Sequence, residues 1–222
     1  MFRKYLAEFL GTGTLVAVVV GSGTMATNLS ADRGVELLIN TVSTVFGLGI
    51  LIFIFSSISG AHFNPAVSLT EWVQKRLSLK LLLGYVMAQC AGGIAGTMIA
   101  NLMFKNPAYF PSHHVRSGAN LWLGEVFATA GLLFIIQVLG GQKKSSFAPV
   151  VIASWIGSAY FFTSSTSFAN PAVTLARAFT DTFSGIALRS IAMFVVAQLI
   201  GAGLGSLLGN YFNHSILENA DD

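Results

Sequence analysis

The stretch SGAHFNPAVSL at residues 59–69 recurs in altered form as STSFANPAVTL at residues 165–175. Asparagine is a favoured N-cap and proline is favoured at the first helical position, so each copy predicts a helix that starts just after Asn64 or Asn170. Small and polar residues precede both asparagines, which indicates irregular backbone leading into each helix. Two short helices with the same start signal therefore organise the fold.

The composition around these stretches is that of a membrane protein. Of the 222 residues, 54% are hydrophobic and only 9% are charged, against roughly 25% charged in soluble domains. This excludes a soluble globule, and the scattered lysines and arginines exclude a nucleic-acid binder. The single cysteine excludes an intrachain disulfide. An all-α membrane protein of several spans in the lipid bilayer remains.

Charged residues divide the chain into uncharged stretches, and about 20 residues are needed for one helical span. Four stretches fit one span each: residues 9–31, 81–104, 121–140 and 191–212. Two others, Leu37 to Thr70 with 34 residues and Ser145 to Ala176 with 32, are too long for one span and too short for two. Each overlong stretch contains one Asn-Pro-Ala copy near its end. The sequence therefore predicts six transmembrane helices plus two re-entrant half-helices.

The two halves of the chain are internal repeats. Matching residues recur at offsets of 117, 106 and 109: Glu8 with Glu125, Asn64 with Asn170, and Gln89 with Gln198. We predict a single transmembrane channel domain over residues 1–222, with repeat 1 at about 1–112 and repeat 2 at about 113–222. Because each repeat has three spans, the second enters the membrane from the opposite side and gives an inverted (3+3) repeat.

Basic residues predict the orientation. With the N-terminus inside, seven lie on the cytoplasmic side: Arg3, Lys4, Lys75, Arg76, Lys80, Lys143 and Lys144. Five lie outside: Arg33, Lys105, Arg116, Arg177 and Arg189. The excess favours a multi-pass protein of the cell membrane with both termini cytoplasmic.

Irregular backbone at membrane depth must be buried in protein or line a wet cavity. We therefore expect the two half-helices to meet N-terminus to N-terminus, where their dipoles place positive potential. Amide N–H groups of Asn64 and Asn170 would donate to a passing water or alcohol, while cations would be repelled. This is filtration rather than catalysis. The sequence offers no catalytic residues, no cofactor site and no metal-ligand cluster.

These features resemble the aquaporins, the major intrinsic protein family, over essentially the whole chain. The resemblance implies a passive channel that selects by pore size and lining groups, assembled as a homotetramer. It assigns the pore motifs to Asn64, Pro65, Ala66, Asn170, Pro171 and Ala172, and the bracing of re-entrant loop carbonyls to Glu8 and Glu125. Small residues let helices approach closely, which predicts close helix packing at Gly92, Gly93, Gly96, Gly201, Gly203 and Gly205. Gln89 and Gln198 predict hydrogen bonds between helices.

One position departs from the family pattern. The family has an arginine after the second Asn-Pro-Ala, and here Val173 follows Ala172. Counted without gaps from the two asparagines, the other constriction positions of the family fall on Thr44, Ser158 and Ser167, and Phe46 competes for the position of Thr44. Together with Val173 they form the constriction that the resemblance implies. This set has neither a cation nor a large aromatic ring, which predicts a wider and less discriminating pore than a water-only channel.

Arg177, four residues after Val173, leaves two alternatives open. It is a possible outer filter, a displaced selectivity residue roughly 6 Å further out by helix rise. Alternatively, it is tied to Asp181 or to loop carbonyls.

The strings HVRSG at 114–118 and TSFANPAVTLARAF at 166–179 resemble bacterial aquaglyceroporins of a subgroup associated with arsenic resistance. That resemblance implies small neutral or weakly acidic permeants beside water: glycerol-like polyols, arsenite and methylated arsenic acids.

Several alternatives stay open at this stage. A proton- or ion-coupled secondary carrier also uses inverted repeats with broken helices, and a nonconducting structural protein of the same fold has the same pattern. His62 is either a pH-sensitive gate or a hydrogen-bonded loop residue. His113 and His114 are either a metal site in an outer loop or a solvated pair.

Overall fold

A computed structural model of the chain describes residues 1–218, with side chains described through Asn213. Within residues 1–218 the chain forms eight α-helices: α1 (Phe2–Leu29), α2 (Arg33–Ser59), α3 (Pro65–Val73), α4 (Leu79–Met103), α5 (Ala119–Gly141), α6 (Ala148–Phe162), α7 (Pro171–Ala176) and α8 (Ile191–Glu218). Six of them are long and apolar enough to cross a membrane, and α3 and α7 are the short ones. The prediction of six spans and two half-helices is confirmed. The last four residues of the predicted second repeat lie outside the described part.

Each half-helix starts as the sequence predicts. The Asn64 side chain caps α3 by accepting a hydrogen bond from the N–H of Ala66 at 2.9 Å. Asn170 caps α7 in the same way through the N–H of Ala172 at 3.0 Å. In both helices proline occupies the first turn, where a missing N–H costs no hydrogen bond. Because α7 ends at Ala176, Arg177 begins a 3-10 turn instead of extending the α-helix.

Close backbone contact joins the long helices within each repeat. A Cβ built at Gly96 on α4 would lie 2.0 Å from the carbonyl oxygen of Gly13 on α1. In the second repeat, a Cβ built at Gly205 on α8 would lie 1.9 Å from the carbonyl oxygen of Ala130 on α5. The predicted glycine packing is wrong for Gly203, which is exposed and has nothing within 4 Å of a built Cβ. It lies on the outward face of α8.

The long connection between α4 and α5 lies along the segment that follows α7. The N–H groups of Phe110 and Ser112 donate to the carbonyls of Phe179 and Ala178, at 3.1 and 3.0 Å. This pairing covers one end of the α7 half-helix and fixes the chain around Arg177.

Candidate functional site

The two half-helices meet through their capping asparagines. Asn64 Nδ2 donates to the carbonyl oxygen of Ala169 at 2.8 Å, and Asn170 Nδ2 donates to the carbonyl oxygen of Phe63 at 2.7 Å. Each amide therefore ties its own helix to the loop of the opposite repeat. A side-chain amide has two N–H bonds, so this arrangement leaves one donor on each asparagine for the cavity that both residues line.

The loops that lead into α3 and α7 share one backbone pattern. In each loop the residues one and three positions before the asparagine have positive φ: Phe63 at 49° and Ala61 at 51°, Ala169 at 46° and Ser167 at 51°. Left-handed backbone at residues other than glycine costs of order 1–3 kcal/mol each. Surrounding contacts must hold these loops in place.

In the first repeat, buried Glu8 supplies those contacts. Its carboxylate accepts from the N–H groups of His62 at 3.0 Å and Phe63 at 2.7 Å, and from the Ser59 hydroxyl at 2.6 Å. Gln89 on α4 donates to the same carboxylate at 2.7 Å, which is the interhelical bond expected of this glutamine.

In the second repeat, buried Glu125 has the same role. It accepts from the N–H groups of Phe168 and Ala169, each at 2.8 Å, and from Gln198 Nε2 at 2.6 Å. Glu8 and Glu125 both hold the re-entrant loops, but they bind backbone N–H groups and not the expected carbonyls. A carboxylate accepts hydrogen bonds and therefore cannot bind a carbonyl oxygen. With the N–H groups of Phe63 and Ala169 bound in this way, the carbonyls of the same two residues accept the asparagine amides.

One cavity of about 590 Å³ is lined by residues from both ends of the bundle and from the meeting point of the half-helices. Loop residues on both sides of Asn64 and Asn170 contribute to its lining, as do aliphatic side chains such as Leu48, Leu132 and Ile152. The lining therefore combines hydrogen-bonding groups with apolar side chains. This suits water or a solute that carries both hydroxyls and C–H groups.

At one end, which we name the Arg177 mouth, the cavity is lined by Thr44, Tyr160, Ser167, Phe168, Val173 and Arg177. Thr44 is buried and lines the cavity, whereas Phe46 is 69% exposed on the outer surface, so Thr44 and not Phe46 faces the cavity. Ser167 also faces the cavity, and its hydroxyl has no hydrogen-bond partner within the described part of the chain.

Ser158 does not belong to this set. It is exposed, and the cavity-lining residues of α6 are Ala148, Ile152, Ile156 and Tyr160. These four are spaced by four residues and share one helix face, from which Ser158 points away. The ungapped count selected a residue on the wrong face of α6.

Two aromatic residues at the Arg177 mouth were missed by the sequence analysis. Tyr160 is buried, and its hydroxyl donates to Thr44 Oγ1 at 3.3 Å. Phe168 lies in the loop before Asn170. The expectation of a ring without large aromatic side chains is therefore wrong. Tyr160 could have been found from its helical spacing to Ile152 and Ile156.

Arg177 is buried, lines the cavity and stacks on Phe168, with 3.5 Å from its guanidinium carbon to the ring centroid. Its Nε donates to the carbonyl oxygen of Ser184. Of the two alternatives for its partner, a loop carbonyl rather than Asp181 is found. The two ideas about Arg177 are thus compatible, since a loop carbonyl fixes the guanidinium while the residue lines the cavity.

Asp181 instead binds the connection between α4 and α5. It accepts from the N–H of His113 at 2.8 Å, and its other oxygen lies 2.9 Å from His113 Nδ1. His114 Nε2 lies 3.6 Å from the same carboxylate. Both histidines are solvated, with side chains 83% and 52% exposed, and both contact Asp181. The hydrogen bond from the His113 backbone N–H lowers the pKa of Asp181 below its ordinary value.

Asp181→Asn tests this contact through its dependence on pH. A lowered pKa means that the contact stabilises the folded protein above the ordinary aspartate value of about 4 and is lost as the pH falls through the lowered value. We expect the wild type to melt about 2 °C above Asp181→Asn at pH 7, since an exposed pair is worth under about 1 kcal/mol. Thermal melting in detergent from pH 8 to pH 3 measures the difference, which should become smaller toward the acid end. A constant difference down to pH 3 would contradict the assignment.

His62 lies between the Glu8 network and the cavity. Its Nδ1 is 3.0 Å from Ser68 Oγ, and its ring packs edge-on against Tyr85 with 5.2 Å between centroids. The ring is thus held by a side-chain hydroxyl and an aromatic neighbour, not by backbone. A pH-sensitive gate at His62 stays a prediction.

Comparison with known proteins agrees with this architecture. The sequence model described as "Major intrinsic protein" matches residues 1–168. The chain is 49% identical over 200 residues to "Aquaglyceroporin AqpS" of Rhizobium meliloti strain 1021, covering 90% of the chain and 85% of that protein. It is 33% identical to "Aquaporin Z" of Brucella melitensis biotype 1, covering 94% and 96%.

A solved structure shares the fold. The X-ray structure of the aquaglyceroporin from Plasmodium falciparum superposes with a TM-score of 0.71 at 23% identity, covering 99% of the chain and 98% of that protein. At this identity the match speaks for the arrangement of the helices alone.

Proposed function

The chain belongs to the major intrinsic protein family and is a passive membrane channel, not an enzyme, and we propose that it conducts water together with neutral solutes of glycerol size. The observation that carries the proposal is the composition of the Arg177 mouth. Val173 occupies the position of the family's filter arginine, and the cation lies one turn later at Arg177. The Arg177 guanidinium stacks on the Phe168 ring and donates to the carbonyl oxygen of Ser184.

The chemistry of this mouth suits a polyol better than water alone. Thr44, Tyr160 and Ser167 supply hydroxyls, while Val173 supplies an apolar surface. A polyol carries both hydroxyls and C–H groups, so each kind of group finds a matching part of the lining. The relative named as an aquaglyceroporin supports the same class of solute. Arsenite in its neutral form, As(OH)3, carries three hydroxyls and belongs to the same proposal.

The pore motifs at Asn64 and Asn170 are proposed to exclude cations. The half-helix dipoles point their positive ends at the meeting point, and neither motif places a carboxylate in the cavity there. Glu8 and Glu125 are fully occupied by loop N–H groups and glutamines. They are therefore proposed as braces and not as ion-coupling groups, which argues against the carrier alternative.

Stopped-flow light scattering on reconstituted vesicles tests the function. We expect rapid, non-saturating flux of water, glycerol and arsenite that does not depend on a pH gradient. Flux that saturates and requires the gradient would establish the carrier, and absence of all flux would establish a structural protein.

Arg177→Ala tests the filter within the same assay. Removing one charged hydrogen-bond donor worth about 1.5 kcal/mol should change glycerol permeability by about tenfold and increase proton leak. Arg189→Ala is the matched control, because this exposed arginine carries the same charge outside the cavity. Equal glycerol flux and equal leak in the two variants would remove Arg177 from the filter.

We also propose a homotetramer in the cell membrane with both termini cytoplasmic. Support for the orientation comes from the excess of basic residues in the loops assigned to the cytoplasm. The described helices expose many large apolar side chains, including Phe46, Ile50 and Phe53 on α2, which suit lipid or neighbouring subunits. Chemical cross-linking in the membrane measures the oligomeric state.

A further inference from the structure

The end of the cavity opposite to the Arg177 mouth is crossed by a polar bridge. We name this end the Glu71 mouth; it is lined by Glu71, Arg76, Gln137, Ser145 and Asn213. The Arg76 guanidinium binds Glu71 through two hydrogen bonds, from Nε at 2.8 Å and from a terminal nitrogen at 2.5 Å. The same terminal nitrogen donates to Gln137 Oε1 at 2.8 Å.

The bridge joins the two repeats across the cavity. Glu71 is on α3 and Arg76 lies in the turn that follows it, whereas Gln137 is on α5 of the second repeat. All three residues line the same cavity. A solute that leaves or enters through this mouth therefore meets the Arg76 side chain.

One side of the bridge is fixed and the other has room to move. Gln137 is 3% exposed, and its backbone carbonyl accepts from Asn213 Nδ2 at 2.9 Å. The Arg76 side chain is 47% exposed, so solvent lies beside it and can replace the bond to Gln137. Of the three bridging groups, the guanidinium is the one that can swing aside.

The Gln137 side of the bridge has polar groups that are not engaged in hydrogen bonds. Gln137 Nε2 and Asn213 Oδ1 are both buried and have no partner within the described part of the chain. They provide one donor and one acceptor, the pair that a hydroxyl group needs. A passing polyol can thus exchange its hydrogen bonds to water for bonds to these amides while Arg76 is displaced.

The two mouths of the cavity differ in charge, and the bridge at the Glu71 mouth is neutral overall. Glu71 and Arg177 are each seven residues after a motif asparagine, so the two mouths have opposite charges at equivalent positions. At the Glu71 mouth, Arg76 neutralises the carboxylate. The bridge therefore does not select by charge. It opposes the passage of large solutes.

We propose that the Glu71–Arg76–Gln137 bridge is a second constriction, one that a polyol opens by replacing the bond between Arg76 and Gln137. It would discriminate among neutral solutes by size and number of hydroxyls, with little effect on water. This inference rests on the proposed conduction of neutral solutes and adds a second point of discrimination to it.

Arg76→Ala tests the inference by stopped-flow measurement of water, glycerol and erythritol permeability in vesicles. Loss of one net hydrogen bond predicts an increase of about threefold for glycerol and more for the larger erythritol, with water nearly unchanged. Gln137→Glu should have the opposite effect, because a carboxylate holds the guanidinium more tightly than an amide does.

Lys75→Ala is the matched control. It removes the same charge from the neighbouring residue, which is exposed and does not line the cavity. Water permeability per channel reports whether each variant is folded. Erythritol and glycerol permeabilities of Arg76→Ala equal to those of Lys75→Ala would overturn the constriction, as would an unchanged Gln137→Glu. Absence of glycerol flux in the wild type would instead refute the proposed function, so the two failures can be told apart.

Discussion

Gly205→Ala is expected to destabilise the folded protein strongly, whereas Gly203→Ala on the same helix is expected to be tolerated. A Cβ at Gly205 would lie 1.9 Å from the carbonyl oxygen of Ala130 and 2.7 Å from its carbonyl carbon, so α8 would have to move away from α5. A flexible side chain can rotate out of such a contact, but a helix backbone cannot. We therefore expect a cost at or above the upper end of overpacking, about 3 kcal/mol, which lowers the melting temperature by roughly 10 °C.

Gly203 is a close control, since it is two residues away and faces open space. The two variants have the same composition and the same change in helix propensity. Size-exclusion profiles and thermal melting in detergent compare them directly. Gly96→Ala extends the test to the first repeat, where the Cβ would lie 2.0 Å from the carbonyl of Gly13. Melting of Gly205→Ala within about 2 °C of Gly203→Ala would show that the helices can separate freely.

The same pair of glycines shows what the sequence can and cannot predict. Repetition of Asn-Pro-Ala and the lengths of uncharged stretches are enough for the helices, the half-helices and the repeat, because these features depend on local capping and on bilayer thickness. Which face of a helix meets its neighbour depends on packing. Gly203 and Gly205 therefore have similar sequence surroundings and different environments.

Helix phase also limits the prediction of the pore. Counting from Asn170 leads to Ser158, yet the cavity face of α6 passes through Ile156 and Tyr160. A count along the chain contains no information on the rotation of a helix about its axis. By contrast, Thr44, Ser167 and Val173 line the cavity as expected.

Contacts between the repeats are the least accessible to sequence reasoning. Arg76 and Gln137 are 61 residues apart and belong to no shared motif. Their bridge exists because α3 and α5 end at the same mouth of the cavity. Arg177 lies between these extremes: its place one helical turn after Val173 could be predicted, but its stacking on Phe168 depends on the loop that Glu125 holds.

Glu125→Gln is expected to be the most damaging conservative change at the pore. The carboxylate is fully buried and accepts three hydrogen bonds, from the N–H groups of Phe168 and Ala169 and from Gln198 Nε2. A glutamine keeps one acceptor oxygen and places an NH2 group against the remaining donors. At least one bond is therefore lost, a buried donor is left unpaired and the remaining bonds lose their charge assistance, at a cost of about 3 kcal/mol.

The loss should reach function through the loop before Asn170. Ser167 and Ala169 have positive φ, and the bonds to Glu125 are what hold this backbone. Once they are released, the carbonyl of Ala169 is no longer fixed for its bond from Asn64, and the two half-helices lose one of the contacts that join them. We therefore expect a large fall in water permeability per channel as well as a lower melting temperature.

Glu36→Gln is the matched control for this substitution. Glu36 is also buried, but its ionic partner Arg33 is 81% exposed at the end of α2, where an ion pair contributes little. A second variant, Glu125→Gln with Gln198→Glu, restores a carboxylate to the network on the opposite helix and should recover part of the stability. If Glu125→Gln melts and conducts like Glu36→Gln, the loop is held by packing around Phe168 rather than by the carboxylate, and the same would be expected of Glu8 in the first repeat.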